Sequence, residues 1–234
     1  MGAAGVNPVN STEQAVSPVF IPDERLSRSP SWGEDAAVLA DIFNESINIA
    51  TWQRALAPGL RAAVESLVAS RPTLVVSMSV SPDTVFEHIR ESLGTAHDCP
   101  LSKDVAELVD MFCYLLGIKR AGLRLAVLDK AMCPKFHVDR VPCRLITTYK
   151  GTGTEWLKHE SVNRSKLGRG SHGKPDHESG LYQSPTDIEK LGCGDVALMK
   201  GELWENNEGA GLVHRSPAVD DGIPRLLLSL DVSD

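Results

Sequence analysis

The chain has 234 residues, 42% of them hydrophobic, with 24 Lys and Arg against 31 Asp and Glu and a formal net charge of −7. That length and apolar content suit one large domain, or one domain with a helical annex, and supply a real core. The acidic balance and the absence of a basic block argue against nucleic acid as a partner, and no apolar run approaches the length of a membrane span.

Residues 1–31 are rich in Ser, Pro, Asn and Gly without periodicity and are expected to form a disordered arm. No basic stretch followed by an apolar core appears there, so a cytoplasmic location is expected. The five cysteines (Cys99, Cys113, Cys133, Cys143, Cys193) are odd in number and include no C-x-x-C, which fits reduced thiols. From Asp35 the spacing turns helical, with Val38, Leu39, Ile42 and Phe43 on one side. A second helix starts near Pro58 and carries Leu60, Val64, Leu67 and Val68. Thr73–Val80 is rich in β-branched residues and predicts a strand. Ser81-Pro82 opens a helix bearing Val85, Phe86, Ile89 and Leu93. Ser102 opens another, with a stripe of Val105, Leu108, Phe112 and Leu115 that ends at Gly117. Residues 32–120 thus read as a helical N-terminal region with one strand.

After Gly122 the period changes to two. Strands are predicted over Leu123–Leu128, Pro134–Asp139, Cys143–Tyr149, Thr154–Leu157, Asp195–Met199, Gly211–Arg215 and Arg225–Val232, with Gly, Pro and Asn/Asp turn signals between them. Many short strands argue a sandwich, jelly roll or barrel over residues 121–234. Arg164–Gly180 is polar, Gly-rich and long for a bare connection, so it reads as a lid or as disorder.

Within this region His137-Val138-Asp139 places an imidazole and a carboxylate on one face of an extended segment, because side chains alternate. Cys133 and Lys135 share that parity. His214, in GLVHRSP, offers a second imidazole from another strand. Two His and one carboxylate on one face, with positions left open, suit a non-haem Fe(II) oxygenase. The bland alternative is a polar interior in which the same groups hydrogen-bond to one another. Arg225 opens an apolar strand, where its charge must be paired or wet, and a guanidinium facing a cavity is a receptor for a carboxylate.

The order H-x-D, a long gap, His, ten residues, Arg resembles the ligand pattern of the Fe(II)/2-oxoglutarate-dependent oxygenases. GCGDVALMKG resembles their Gly-Asp turn and core strand. That resemblance implies an α+β fold with a double-stranded β-helix (jelly-roll, cupin-like) core and an N-terminal helical buttress. It also implies iron on His137, Asp139 and His214 and the distal carboxylate of 2-oxoglutarate on Arg225. Those enzymes commonly have Ser or Thr two residues after the arginine, where this chain has Leu227. More closely, CPKFHVDRVPCRLITTYKGTGTEWL, GDVALMKGE, GLVHRSP and RLLLSLDV resemble an uncharacterised bacterial family, domain-of-unknown-function family 1826.

Thr147 and Tyr149 are candidate cosubstrate or supporting groups, with strand packing as their alternative. Cys133 is a candidate additional ligand that would favour Zn, or else a rim thiol. Trp156 reads as core or pocket wall. His172, Asp176 and His177 read as a solvated lid or a secondary metal site. Lys200, Glu202 and Trp204 are placed to contact substrate at the barrel mouth. The expected partner is a small-molecule or amino-acid-like substrate, with the oligomeric state open. The alternative function is a Zn-binding jelly-roll protein linked to metal limitation, without oxygenase activity.

Overall fold

The computed structural model of the chain describes residues 1–2, 27–219 and 222–233. Most of the expected arm therefore lies outside the described residues, but its last residues do not, because Ser29–Gly33 forms strand β1.

The architecture follows from strands that are apolar on both faces. In β10 (Arg225–Val232), Leu226, Leu228 and Leu230 join one core and Leu227 another. The same split occurs in β4 (Ala121–Leu128), β5 (Cys143–Lys150) and β8 (Val196–Lys200). Strands buried on both faces must be covered on both. Together with β1, β2 (Ile47–Trp52) and β3 (Val75–Val80) they form a seven-stranded sheet in the order β1-β2-β8-β5-β10-β4-β3. The β1–β2 pair is parallel and the other neighbours are antiparallel.

One face is covered by helices α1 (Pro58–Ser70), α2 (Pro82–Leu93) and α3 (Pro100–Leu116). Val64, Ile89, Leu108 and Phe112 of these helices share a core with Leu123, Leu125, Leu228 and Leu230 of the sheet. Gly94 and Gly117 end α2 and α3 at φ 64°, the left-handed conformation that glycine adopts without strain. The other face meets a three-stranded sheet of β7 (Ile188–Lys190), β6 (Glu155–Leu157) and β9 (Val213–Arg215), in the order β7-β6-β9. Trp156 and Leu212 fill the space between the sheets with Ala126, Ile146 and Leu227.

Three expectations are corrected. Residues 32–120 hold two whole strands, β2 and β3, and the end of β1, rather than one strand. Ala36–Phe43 is 3-10 rather than α-helical. Pro134–Asp139 forms no ladder and contributes a single antiparallel bridge, His137 to His214. Arg164–Gly180 is built from short turns of helix, including α4 (Asp176–Ser179). No helix among the described residues is long and apolar enough to cross a membrane.

Leu228 is fully buried on the helix-covered face. Leu228→Ala is expected to cost about 2–5 kcal/mol through lost burial and the cavity left behind. Urea unfolding measures this, and a cost below about 1 kcal/mol would show that the site collapses around the smaller residue.

Candidate metal centre

His137 and His214 face each other as a hydrogen-bonded antiparallel pair, each backbone N–H donating to the other's carbonyl at 3.0 Å. That bridge extends the small sheet by one position beyond β9. His214 stands opposite Trp156 across the β6–β9 ladder, so its ring enters the space between the sheets. The two imidazole centroids lie 4.6 Å apart. Asp139, two residues on from His137, closes the group: its Oδ1 is 3.3 Å from His137 Nε2 and its Oδ2 is 3.2 Å from His214 Nε2. Extended backbone alternates its side chains with or without a ladder, so the same-face placement of His137 and Asp139 survives the loss of the expected strand.

The tautomers are fixed from behind. His137 Nδ1 lies 2.9 Å from the Lys135 carbonyl and His214 Nδ1 lies 3.2 Å from the Leu212 carbonyl. A carbonyl only accepts, so each Nδ1 carries hydrogen and each Nε2 turns to the shared centre. This is the arrangement that orients metal-binding histidines. Among the described residues, His137, Asp139 and His214 are the group of His, Cys, Asp and Glu donors that converges, all within 4.8 Å of one another. The donor set fits a divalent metal of imidazole and carboxylate preference.

Burial alone would raise the Asp139 pKa. Hydrogen bonds from His137 and His214 and the nearby Arg144 charge outweigh it and hold the carboxyl well below its ordinary range. His137 is shifted up, first by its hydrogen bond to Asp139, against the opposing effect of burial. Arg144, on the inner face of β5, donates to Asp139 Oδ2 and grips Asp231 of β10 with two bonds of 2.7 and 2.8 Å. The sequence reading missed Arg144, although it carries the same signal as Arg225, a cation inside an apolar strand.

Arg225 is 1% exposed and lines the same inter-sheet cleft as His137, Arg144 and His214. The cleft leaves about 50 Å³ of free volume beneath an open mouth. Its guanidinium donates to Ser216 Oγ at 2.9 Å and to Thr148 Oγ1 at 3.1 Å, with Thr154 Oγ1 at 3.5 Å. Its Nε is buried without a partner, and among the described residues no carboxylate lies within 4.0 Å. Burial lowers its pKa to about 10, so it remains a cation at neutral pH.

Thr147 and Tyr149 do not reach this cleft. Thr147 stands opposite Leu228 of the helix-side core. The Tyr149 hydroxyl donates at 2.6 Å to Asp104 of α3, which Arg54 also grips. The neighbouring Thr148, opposite Leu227, is the residue that faces Arg225. Cys133 lines the cleft but is outside the converging group. Asp176 is buried and accepts the Phe136 N–H at 2.9 Å, which ties the 164–180 segment to the residue beside His137. His172 and His177 are exposed and join no metal-like cluster. Lys200 turns back to the Asn44 carbonyl, and Trp204 packs on Phe43.

Residues 33–231 match the family model described as "Protein of unknown function (DUF1826)". No curated protein matches the chain by sequence. Among solved structures, the chain is similar to dioxygenase for auxin oxidation 1 from Arabidopsis thaliana in its 2-oxoglutarate complex. The TM-score is 0.51 at 10% identity, covering 88% of this chain and 93% of that one. It is also similar to a Pseudomonas putida prolyl-4-hydroxylase, with a TM-score of 0.43 at 11% identity over 85% and 98% of the two chains. The first of these likenesses carries the fold: a mixed α/β chain built on one large sheet, shared with a 2-oxoglutarate oxygenase.

Arg144→Ala removes the donor that orients Asp139. Divalent-metal affinity, measured by titration with Mn(II) or Zn(II), is expected to fall about 10–100-fold. An unchanged affinity would mean that the histidines alone position the carboxylate.

Proposed function

We propose that this chain, which belongs to the DUF1826 family of proteins of unknown function, is a non-haem Fe(II) oxygenase. Its cosubstrate on this reading is 2-oxoglutarate, and it oxidises a small molecule. The observation that carries the reading is the pairing of a His137–Asp139–His214 face with a buried, uncompensated guanidinium in one cleft. On the same reading the facing sheets are a double-stranded β-helix core and α1–α3 its N-terminal buttress.

Iron held by the three side chains supplies oxygen activation coupled to decarboxylation of a 2-oxo acid. The chain supplies orientation and charge. The Lys135 and Leu212 carbonyls keep both Nε2 atoms turned inward. Arg144 keeps Asp139 ionised and turned toward the histidines. Arg225 offers a carboxylate a planar, buried guanidinium that no carboxylate among the described residues occupies. A dicarboxylate satisfies both ends of the cleft at once, one at the metal face and one at Arg225. Leu227 stands where a hydroxyl is common in such enzymes, and Thr148, directly across the ladder, supplies that hydroxyl instead. His137, Asp139 and His214 would hold the metal in competition with the proton on His137, so acid would weaken metal binding. The Zn-binding alternative drew support from Cys133 as a ligand, and the separation of that thiol from the converging group removes this support.

Protein reduced and loaded with Fe(II), then given 2-oxoglutarate and air, is expected to form succinate above a His137→Ala control. Arg225→Gln should weaken 2-oxoglutarate binding by roughly 2 kcal/mol or more, some thirtyfold. No succinate over the control, together with no measurable 2-oxoglutarate binding, would sink the reading. Thr148→Val is expected to weaken 2-oxoglutarate binding, whereas Tyr149→Phe should leave it unchanged and lower stability by about 1 kcal/mol. The opposite pattern in calorimetric titrations would restore Tyr149 as the cosubstrate residue.

A further inference from the structure

His137 is shared between two clefts. One holds Arg225. The other leaves about 440 Å³ of free volume and is lined by Arg164, Leu167 and Glu202 as well as His137. Arg164 is tethered: one terminal nitrogen donates to the Gly211 carbonyl at 2.6 Å and lies 3.4 Å from His159 Nδ1. Its Nε is buried without a partner, and among the described residues no carboxylate lies within 4.0 Å. His159 does not compete as a cation, since burial, Arg164 and Arg28 lower its pKa to about 4. Arg28 adds positive charge nearby while its own guanidinium is taken up by Asn207 and Asn206.

Glu202 is tethered as well. Its Oε1 accepts the Gly209 N–H at 3.1 Å, and its backbone N–H donates to the Asp139 carbonyl at 2.9 Å. A guanidinium and a carboxylate on one small cleft ordinarily close into an ion pair. Here each is held by a backbone group, and they attract across the gap without meeting. The space between them therefore carries one positive and one negative wall, with Leu167 as an apolar side.

We infer that the cleft bounded by Arg164 and Glu202 binds a small amphoteric substrate of the amino-acid class, its carboxylate on Arg164 and its ammonium on Glu202. This deepens the oxygenase reading and rests on it for the fate of the bound molecule, but not for the binding itself. His137 lines both clefts, so the substrate would lie beside a metal ligand while keeping a counter-charge separate from Arg225.

The test uses the full chain loaded with Zn(II), which is inert to oxygen, and ligand-observed NMR with titration. The probes are the free amino acids, each beside its des-amino carboxylic acid and its decarboxylated amine. At least one amino acid is expected to bind better than both of its truncated partners. Arg164→Gln should weaken that amino acid at least tenfold, with Arg164→Lys recovering part of the loss. Glu202→Gln keeps the acceptor for Gly209 and should weaken the amino acid while leaving the des-amino acid unchanged. That split is not expected from a merely structural role. Binding by no amino acid, or an affinity unmoved in both Arg164→Gln and Glu202→Gln, overturns the inference. Metal and 2-oxoglutarate binding in the same samples tell that failure apart from failure of the oxygenase reading.

Discussion

One ionised carboxylate, Asp139, holds the space between the two sheets together. It accepts from Arg144 of β5 and faces the Nε2 atoms of both His137 and His214. Arg144 passes the restraint to Asp231 of β10. Large sheet, small sheet and the segment between β4 and β5 are thereby joined through charge as well as through the apolar contacts of Trp156 and Leu212. Removing Asp139 from water is costly, and only this set of donors makes its ionised form the stable one. The backbone must approach closely for the contacts to form. A Cβ at Gly201 would lie 2.1 Å from the Val141 carbonyl oxygen, and one at Gly211 would lie 2.5 Å from Val138 Cγ1. Glycine at these two positions lets the chain after β8 and before β9 lie against the Asp139 segment.

The three arginines near the centre divide by how they are neutralised. Arg144 is paired on both sides and serves the fold of the site. Among the described residues, Arg225 and Arg164 each keep a buried Nε without a partner and have only neutral groups within bonding distance. A buried cation left short of a counter-charge lowers stability by an amount that a bound anion restores. The two lie in different clefts, and His137 is common to both. On the proposed reading this separation gives each of two anionic reactants its own cation, since a single cation would let either take the other's place.

The legible parts of the sequence were those governed by local alternation. His137 and Asp139 share a side because extended backbone requires it, and β10 has the predicted bounds because Arg225 and the Leu run mark them. Face choice was less legible. On β5 both parities carry Thr and apolar residues, so nothing local says that Arg144 and Thr148 turn inward while Thr147 and Tyr149 turn to the helices. The Tyr149 position is set by Asp104, 45 positions earlier in the chain, and no periodicity encodes that. β2 was missed for a related reason. Its four central residues are all buried, and because Asn48 and Thr51 are polar while Ile49 and Ala50 are apolar, no period-two alternation marks the run.

The 164–180 segment shows how far tertiary contacts override composition. Its Gly-rich, polar sequence reads as a lid, yet its hydrogen bonds are those of a wall. Asp176 accepts from the Phe136 backbone and from Arg215. Arg215 in turn lies over the Phe136 ring at 4.3 Å and binds Glu155 of β6. Asn163 donates its backbone N–H to Leu181 at 2.8 Å, closing the segment on itself. Gly170 permits this compactness, since a Cβ there would lie 1.8 Å from the Ser165 carbonyl oxygen. The anchor is the residue next to His137, so one backbone hydrogen bond ties the wall bearing Arg164 to the segment bearing His137 and Asp139. On the proposed reading, a molecule selected by that wall would be held beside the metal ligands, the positioning under which a reactive centre acts on one bond.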